Sequence, residues 1–308
     1  MLMPEKTTKK IAVFFNVEPG PLEVQAHLLV NSLKLFCEDY HSLHAHCRSD
    51  RIDELQPETR TMLASRDVEL RVLENPFSDG YPAGNKIAGA ALERDADFSL
   101  FLDTDTFLTQ NTSFAEIAYP QKVSVCPETR NAWTNRPRVW RQVYALFGLP
   151  KPEAKVQLLL GQFSHPFFNA GMVLFPTGSF GDLWLDTAQQ IDKMTGLRGR
   201  RPWLDQISLP VAIARYGQDA LNSVSRIWND TPDLPDEGTR LLHYHRPRRL
   251  RVRGRMHLAD LVFQSSGSEF ESYGDLIRYY SAKGVVSDAK ALSHVNLSTP
   301  IPKPRPNS

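Results

Sequence analysis

"DFSLFLDTDTFLTQ", Asp97 to Gln110, carries a mostly apolar run, Ser99 to Leu102, straight into Asp103-Thr104-Asp105. A short apolar run of this kind fits a fully buried strand. Two carboxylates, one residue apart at its end, fit three readings. They could bind a divalent metal, act as nucleophile and acid/base partner, or make an ordinary acidic turn. The rest of the chain has to choose among them.

On the N-terminal side, strands and helices alternate. "KIAVFFNV" (10–17) reads as a buried strand. After Gly20-Pro21, apolar residues at Leu22, Ala26, Leu29, Val30, Leu33 and Phe36 have the spacing of a helix stripe. "SLHAHC" (42–47) and "VELRVLE" (68–74) read as strands, with a helix near Pro57–Ser65 between them. "AGNKIAGAALERDA" (83–96) is an Ala-rich helix and "FSLFL" (98–102) the next strand. This βαβα order predicts the α/β class, a mostly parallel central sheet with helices on both faces. Ligands of such sheets sit at the carboxyl ends of strands, so Asp103 and Asp105 belong on the binding rim.

Beyond residue 106 the pattern loosens. "KVSVC" (122–126) and "AGMVLF" (170–175) read as strands, and "PRVWRQVYALFG" (137–148) as a helix with Val139, Trp140, Val143, Tyr144 and Phe147 inward. Helices follow over Ser179–Met194 and 202–217, the second kinked or split at Pro210, which removes an amide donor. "RLLHYH" (240–245) is a short strand before an arginine-rich run. Residues 1–9 read as a flexible N-terminus and 286–308 as a disordered tail.

The 308 residues are 41% hydrophobic and 23% charged, which suits a globular protein with one large core. A net charge of +1 gives no global pull toward nucleic acid or an anionic membrane; either partner would need a local patch. The apolar run "IAVFF" is too short for a signal peptide or a span, so the expected location is cytoplasmic, with no integral membrane segment. Three scattered cysteines without a CxxC suggest neither a disulfide framework nor a zinc site.

Two carboxylates near a strand end make a hard oxygen site suited to Mn²⁺ or Mg²⁺. A third protein ligand is wanted, and "LLHYHRP" offers His243 and His245, two apart and so on one face of a strand. With these in place, the ordered set "NKIAGAALERDADFSLFLDTDTFL", "FFNAGMVLFP", "WLDQISLPVA" and "LLHYHRP" resembles a GT-A fold glycosyltransferase of the glycogenin and galactosyltransferase-like kind. In those families a Lys-bearing helix precedes the DxD strand, an NAG or NSG segment opens a later strand, a DQ helix follows, and a late histidine completes the metal site.

The resemblance spans about residues 10–250 and implies a single catalytic domain over 10–285. Residues 10–105 would be its nucleotide-binding half, 106–255 its donor-sugar and acceptor half, and 256–285 C-terminal helices. It implies a nucleotide-sugar donor, UDP-sugar first, and a glycan, lipid-linked or small-molecule acceptor. Asp105 would bind Mn²⁺ or Mg²⁺ directly, Asp103 the metal or the ribose, and His243 would be the third ligand. Lys86 would neutralise phosphate or touch the donor sugar, and Asn169 and Gly171 would line the sugar pocket. Asp205 and Gln206 would meet the sugar or acceptor, and the loop around Asn16 and Val17 would hold the nucleoside. An inverting reaction makes Asp205 a candidate base; a retaining one needs no dedicated base. Where the family often has Gly and a Lys-Pro-Trp segment after its histidine, this chain has six arginines between Arg246 and Arg255. One of them, Arg246 first, would grip the diphosphate.

Two rivals fit less well. A haloacid-dehalogenase type phosphatase also places Asp-x-Asp after a strand, but near the chain start and with Thr or Val where Phe107 stands. A non-catalytic nucleotide-sugar-binding module on the same fold would not need both carboxylates, His243 and Asp205.

Overall fold

The structure is a computed structural model and describes residues 9–77 and 80–286. The expected flexible residues 1–8 and the tail from 287 lie outside the described residues. In chain order the first part is β1 (Ile11–Asn16), α1 (Pro21–Phe36), β2 (Tyr40–Arg48), α2 (Pro57–Ser65), β3 (Val68–Leu73), α3 (Gly84–Ala90) and β4 (Phe98–Leu102). Then come β5 (Thr106–Leu108), β6 (Val123–Pro127), α4 (Pro137–Ala145), β7 (Val156–Gln157), β8 (Phe163–Ser164) and β9 (Phe168–Pro176). The last part is α5 (Ser179–Asp192), α6 (Leu204–Tyr216), β10 (Leu221–Ser223), β11 (Leu241–His243), α7 (Pro247–Val252), α8 (Met256–Ser265) and α9 (Tyr273–Ala282).

The expected α/β class is observed: a seven-stranded sheet in the order β10-β6-β9-β4-β1-β2-β3. Every pairing in it is parallel except those of β9, which runs against both neighbours, β4 and β6. β1, β4, β6 and β9 are buried on both faces, as continuous apolar runs require, whereas the outer strands β3 and β10 are partly exposed. Along β1, Ile11, Val13 and Phe15 join the core under α1 and α2, while Phe14 joins the core under α3, α5 and α6. A third core forms where α7, α8 and α9 pack on α1, β5 and β11 around Phe107, Tyr244 and Tyr273.

Several expected boundaries move. The helix expected over 83–96 stops at Ala90, because Arg94 folds back and donates to the Gly89 and Leu92 carbonyls, satisfying acceptors at the helix end. The strand expected to reach residue 245 stops at His243, since His245 takes a left-handed φ of 59°. Pro210 does not split α6, which runs on through it. The three-residue β5 and the β7–β8 hairpin were not expected, and the arginine-rich run is partly helical as α7.

Buried polar groups tie the helices together. Glu23, fully buried at the start of α1, accepts from the Gly20 amide (3.0 Å), the Gln56 amide (2.7 Å) and the Thr59 hydroxyl (2.8 Å). One carboxylate thereby caps both α1 and α2. The Tyr280 hydroxyl of α9 bridges Thr59 (2.8 Å) and His27 Nε2 (3.0 Å). At the α3–α5 contact the approach is closest at Gly181, where a Cβ would lie 2.0 Å from the Ala90 carbonyl oxygen. Gly181→Ala is therefore expected to cost about 2 kcal/mol by forcing the helices apart, read by urea unfolding; unchanged stability would show the contact to be looser.

Burial also makes stability pH-dependent. It pushes the His27 pKa down to about 3, against the pull of Glu58, and holds His46 well below its usual value, helped by Arg94. Below about 6.5 the unfolded chain binds protons that these two native imidazoles refuse, so stability falls with falling pH. Each histidine contributes about 1.4 kcal/mol of loss per pH unit below that value. Urea unfolding at pH 7.5 and 5.5 should show this loss, and His27→Gln should remove its own share, about 1.4 kcal/mol per pH unit below about 6.5. An identical pH slope in that variant would take His27 out of the account.

Candidate active site

The direction of β9 brings distant segments together. A strand antiparallel to its neighbours begins where they end, so Asn169, Ala170 and Gly171 meet the carboxyl ends of β4 and β6. Leu102 pairs with Met172 and Cys126 with Asn169. The Asp103 amide donates to the Gly171 carbonyl at 2.8 Å. The Asp103–Thr106 turn is closed by the Thr106 amide and hydroxyl, both donating to the Asp103 carbonyl (3.1 and 2.7 Å). This turn launches β5, which pairs antiparallel with β11 and sets His243 opposite Thr106. The Tyr244 amide donates to the Asp105 carbonyl at 3.0 Å. Phe107, on the other side of β5, is fully buried against Tyr244.

His243 Nε2 lies 3.1 Å from Asp105 Oδ1 and 4.0 Å from Asp103 Oδ2. The His245 ring lies close against it, tilted by 35°, with centroids 4.0 Å apart. Ligand atoms of Asp105, His243 and His245 all fall within 4.8 Å of one another. Asp103 turns instead to Lys86, whose Nζ is 3.0 Å from Asp103 Oδ1, 3.1 Å from Asp205 Oδ2 and 3.3 Å from the Ala170 carbonyl. One buried ammonium thus bridges the acidic turn and the start of α6.

The charges shape one another. Burial disfavours charge on both Asp105 and His243, but their mutual attraction wins: it holds Asp105 at about 2 and raises His243. Burial, reinforced by the neighbouring Asp105 charge, raises Asp103 despite Lys86. Lys86 is raised because the Asp103 and Asp205 charges outweigh its burial. Burial and the His243 charge push His245 down to about 3, which leaves it neutral near pH 7.

Sequence reasoning missed the carboxylate on the facing wall. Glu128, one residue past β6, accepts through Oε2 from Asn169 Nδ2 (3.0 Å) and Gln206 Nε2 (2.6 Å). Asn169 in turn takes the Gly171 amide (2.8 Å) and Asn229 Nδ2 (3.0 Å) on its Oδ1. The signal was present in "VSVCPE", a carboxylate following a strand end, as in β4. Tyr81 was missed too; its hydroxyl lies 3.4 Å from Asp205 Oδ1.

These groups border a cleft of about 1130 Å³. Lys86, Asp103, Asp105, Asn169, Gly171, Asp205, Gln206, His243 and Arg246 all line it, as do Glu128, Arg130 and Trp203. Asn16 and Val17 do not. Val17 is buried in the core with its amide on the His46 carbonyl (2.8 Å), and Asn16 Oδ1 is buried without a partner among the described residues. Arg246 is exposed at the start of α7.

The donor set fits a divalent cation. A carboxylate and two imidazoles converge, a second carboxylate stands beside them, and His243 Nδ1 is buried with no partner among the described residues. Mixed oxygen and imidazole donors suit Mn²⁺ and related ions.

No curated protein sequence matches the chain. Among solved structures, mouse xyloside xylosyltransferase 1 in its apo form is 12% identical, with 76% of this chain and 97% of that chain covered and a TM-score of 0.48. A family model described as the Rhodobacterales glycosyltransferase domain matches residues 13–217, from β1 to the end of α6, and so takes in Lys86, Asp103, Asp105, Asn169, Gly171, Asp205 and Gln206. The chain belongs to this glycosyltransferase family.

Proposed function

We propose that the chain moves a hexosyl group from a nucleotide-diphospho-sugar, UDP-sugar first, to an acceptor hydroxyl on a glycan, a lipid-linked glycan or a small molecule. The observation that carries this is the meeting of Asp103 and Asp105 with His243 across the β5–β11 ladder, 3.1 Å at its closest. Asp103, Asp105 and His243 would hold Mn²⁺ or Mg²⁺, which would supply charge stabilisation for the departing nucleoside diphosphate. The first half of the domain brings Lys86 and the two aspartates; the second brings Asn169, Gly171, Asp205, Gln206 and His243.

In this reading Lys86 leaves its bridge between Asp103 and Asp205 to meet donor phosphate, and Arg246 grips the same diphosphate from α7. The nucleoside extends along the rim toward Asn16 and Val17, where β1 runs parallel beside β4. Asn169 and Gly171 floor the sugar pocket, with Asn169 held by Glu128. Asp205 and Gln206 border the transferred sugar. Once Lys86 has moved to phosphate, Asp205 is free to take a proton from the acceptor hydroxyl, if the reaction inverts.

The test is turnover of a nucleotide-sugar panel with Mn²⁺ or Mg²⁺, scored by release of nucleoside diphosphate. Metal-dependent turnover of one donor supports the reading; binding without hydrolysis or transfer would support a non-catalytic module instead. Thermal unfolding with the same panel identifies the donor, because a ligand that binds only the native state raises the melting temperature.

A further inference from the structure

Beside the cleft lies a face that the transfer reaction does not use. The β7–β8 hairpin presents Leu160 and Phe163, 55% and 60% exposed. Its tip is tied to the cleft wall by the Leu160 amide, which donates to the Thr129 carbonyl at 3.2 Å. Its second strand is tied to the approach to α4 by Asn135 Nδ2, which donates to the Phe163 carbonyl at 3.2 Å. Arg130 and Arg136 directly follow the two anchoring residues, Thr129 and Asn135, and Arg138 and Arg141 lie just beyond on α4; all four are exposed. Arg138 and Arg141, three apart on α4, share its solvent side. Among the described residues none of the four guanidinium groups has an ion-pair or hydrogen-bond partner. Other arginines are neutralised by carboxylates, Arg249 and Arg253 by Asp233 and Arg255 by Asp236, while Arg246 and Arg248 are exposed and likewise unpaired among the described residues.

We propose that this face docks on an anionic lipid bilayer, with Phe163 and Leu160 entering the interface and the four arginines against lipid phosphates. Uncompensated guanidinium groups match a negative surface, each adding to attraction within a Debye length of it. Exposed leucine and phenylalanine match a bilayer and not a soluble polyanion, which offers no apolar layer to receive them. Arg130 and Leu160 also line the cleft, so a bilayer here lies against its mouth. The docking does not depend on the proposed transfer chemistry, and its test reads binding alone.

The experiment is co-sedimentation of the full chain with vesicles of phosphatidylcholine, with and without phosphatidylglycerol. Binding is expected only with phosphatidylglycerol present and should weaken at high salt. The double variant Arg138→Glu, Arg141→Glu should lower the partition coefficient at least about tenfold, at roughly 1 kcal/mol per charge, with thermal unfolding unchanged because both side chains are exposed. Phe163→Ser should weaken binding without altering its salt dependence. Three results would overturn the proposal: no preference for phosphatidylglycerol, equal binding by the double variant, or retention on heparin that anionic vesicles fail to displace. The last would reassign the face to a polyanionic polymer.

Discussion

Asp105→Asn is expected to lower metal-dependent release of nucleoside diphosphate from the donor by about 10³-fold, close to 4 kcal/mol of transition-state stabilisation. The substitution keeps the shape of the side chain and removes its charge. That charge is the nearest partner of His243 Nε2, at 3.1 Å, and part of the only such cluster of carboxylate and imidazole ligand atoms among the described residues. Mn²⁺ binding by calorimetry should weaken in parallel. The variant should also lose some stability, because the attraction to His243 that holds Asp105 at about 2 outweighs the Asp103–Asp105 repulsion that the substitution relieves. A modestly lower melting temperature, with the variant still folded at the assay temperature and its activity lost, is the expected pair of results. Full activity in the variant would remove Asp105 from the site.

Gly171→Ala is expected to damage stability and activity together. An added Cβ would lie 2.6 Å from His243 Cε1, 2.7 Å from its Nδ1 and 2.8 Å from Asn169 Oδ1. The imidazole cannot step aside freely, since Asp105 holds one edge and the His245 ring lies against its face. Either His243 leaves Asp105, or β9 withdraws its carbonyl from the Asp103 amide. We expect a loss of about 3 kcal/mol in urea unfolding and of about 10²-fold in turnover, since small displacements of positioned groups cost that much. Gly196→Ala is the control: nothing lies within 4 Å of its added Cβ, and stability should stay within about 0.5 kcal/mol. Equal behaviour of the two variants would mean that the close approach at Gly171 is not structural.

Much of the fold was legible because its first half is locally encoded. β1 and β4 are apolar runs, β2 and β3 alternate apolar with polar residues, and the stripe of α1 has a period that only a helix satisfies. The same reasoning placed Asp103 and Asp105 on the rim without any knowledge of what faces them. The elements that escaped are short. β5 has three residues, too few for periodicity to register, and is a strand only because β11 lies beside it. Glu128 escaped because its meaning comes from Asn169 and Gln206, which are 41 and 78 residues away.

The sequence by itself determined which elements form and which chemistry they carry. Local periodicity reports burial, and carboxylates, imidazoles and a lysine announce their charge whatever surrounds them. Tertiary structure alone decided which of them meet. It reversed β9 so that its first residues reach the ends of β4 and β6, and it set His243 opposite Thr106 across more than a hundred residues of chain. It turned His245 back on His243 through a left-handed φ, and it gave Lys86 to Asp103 and Asp205. Strand register between distant segments is set by the packing of whole cores on both faces of the sheet, and no local pattern contains that sum.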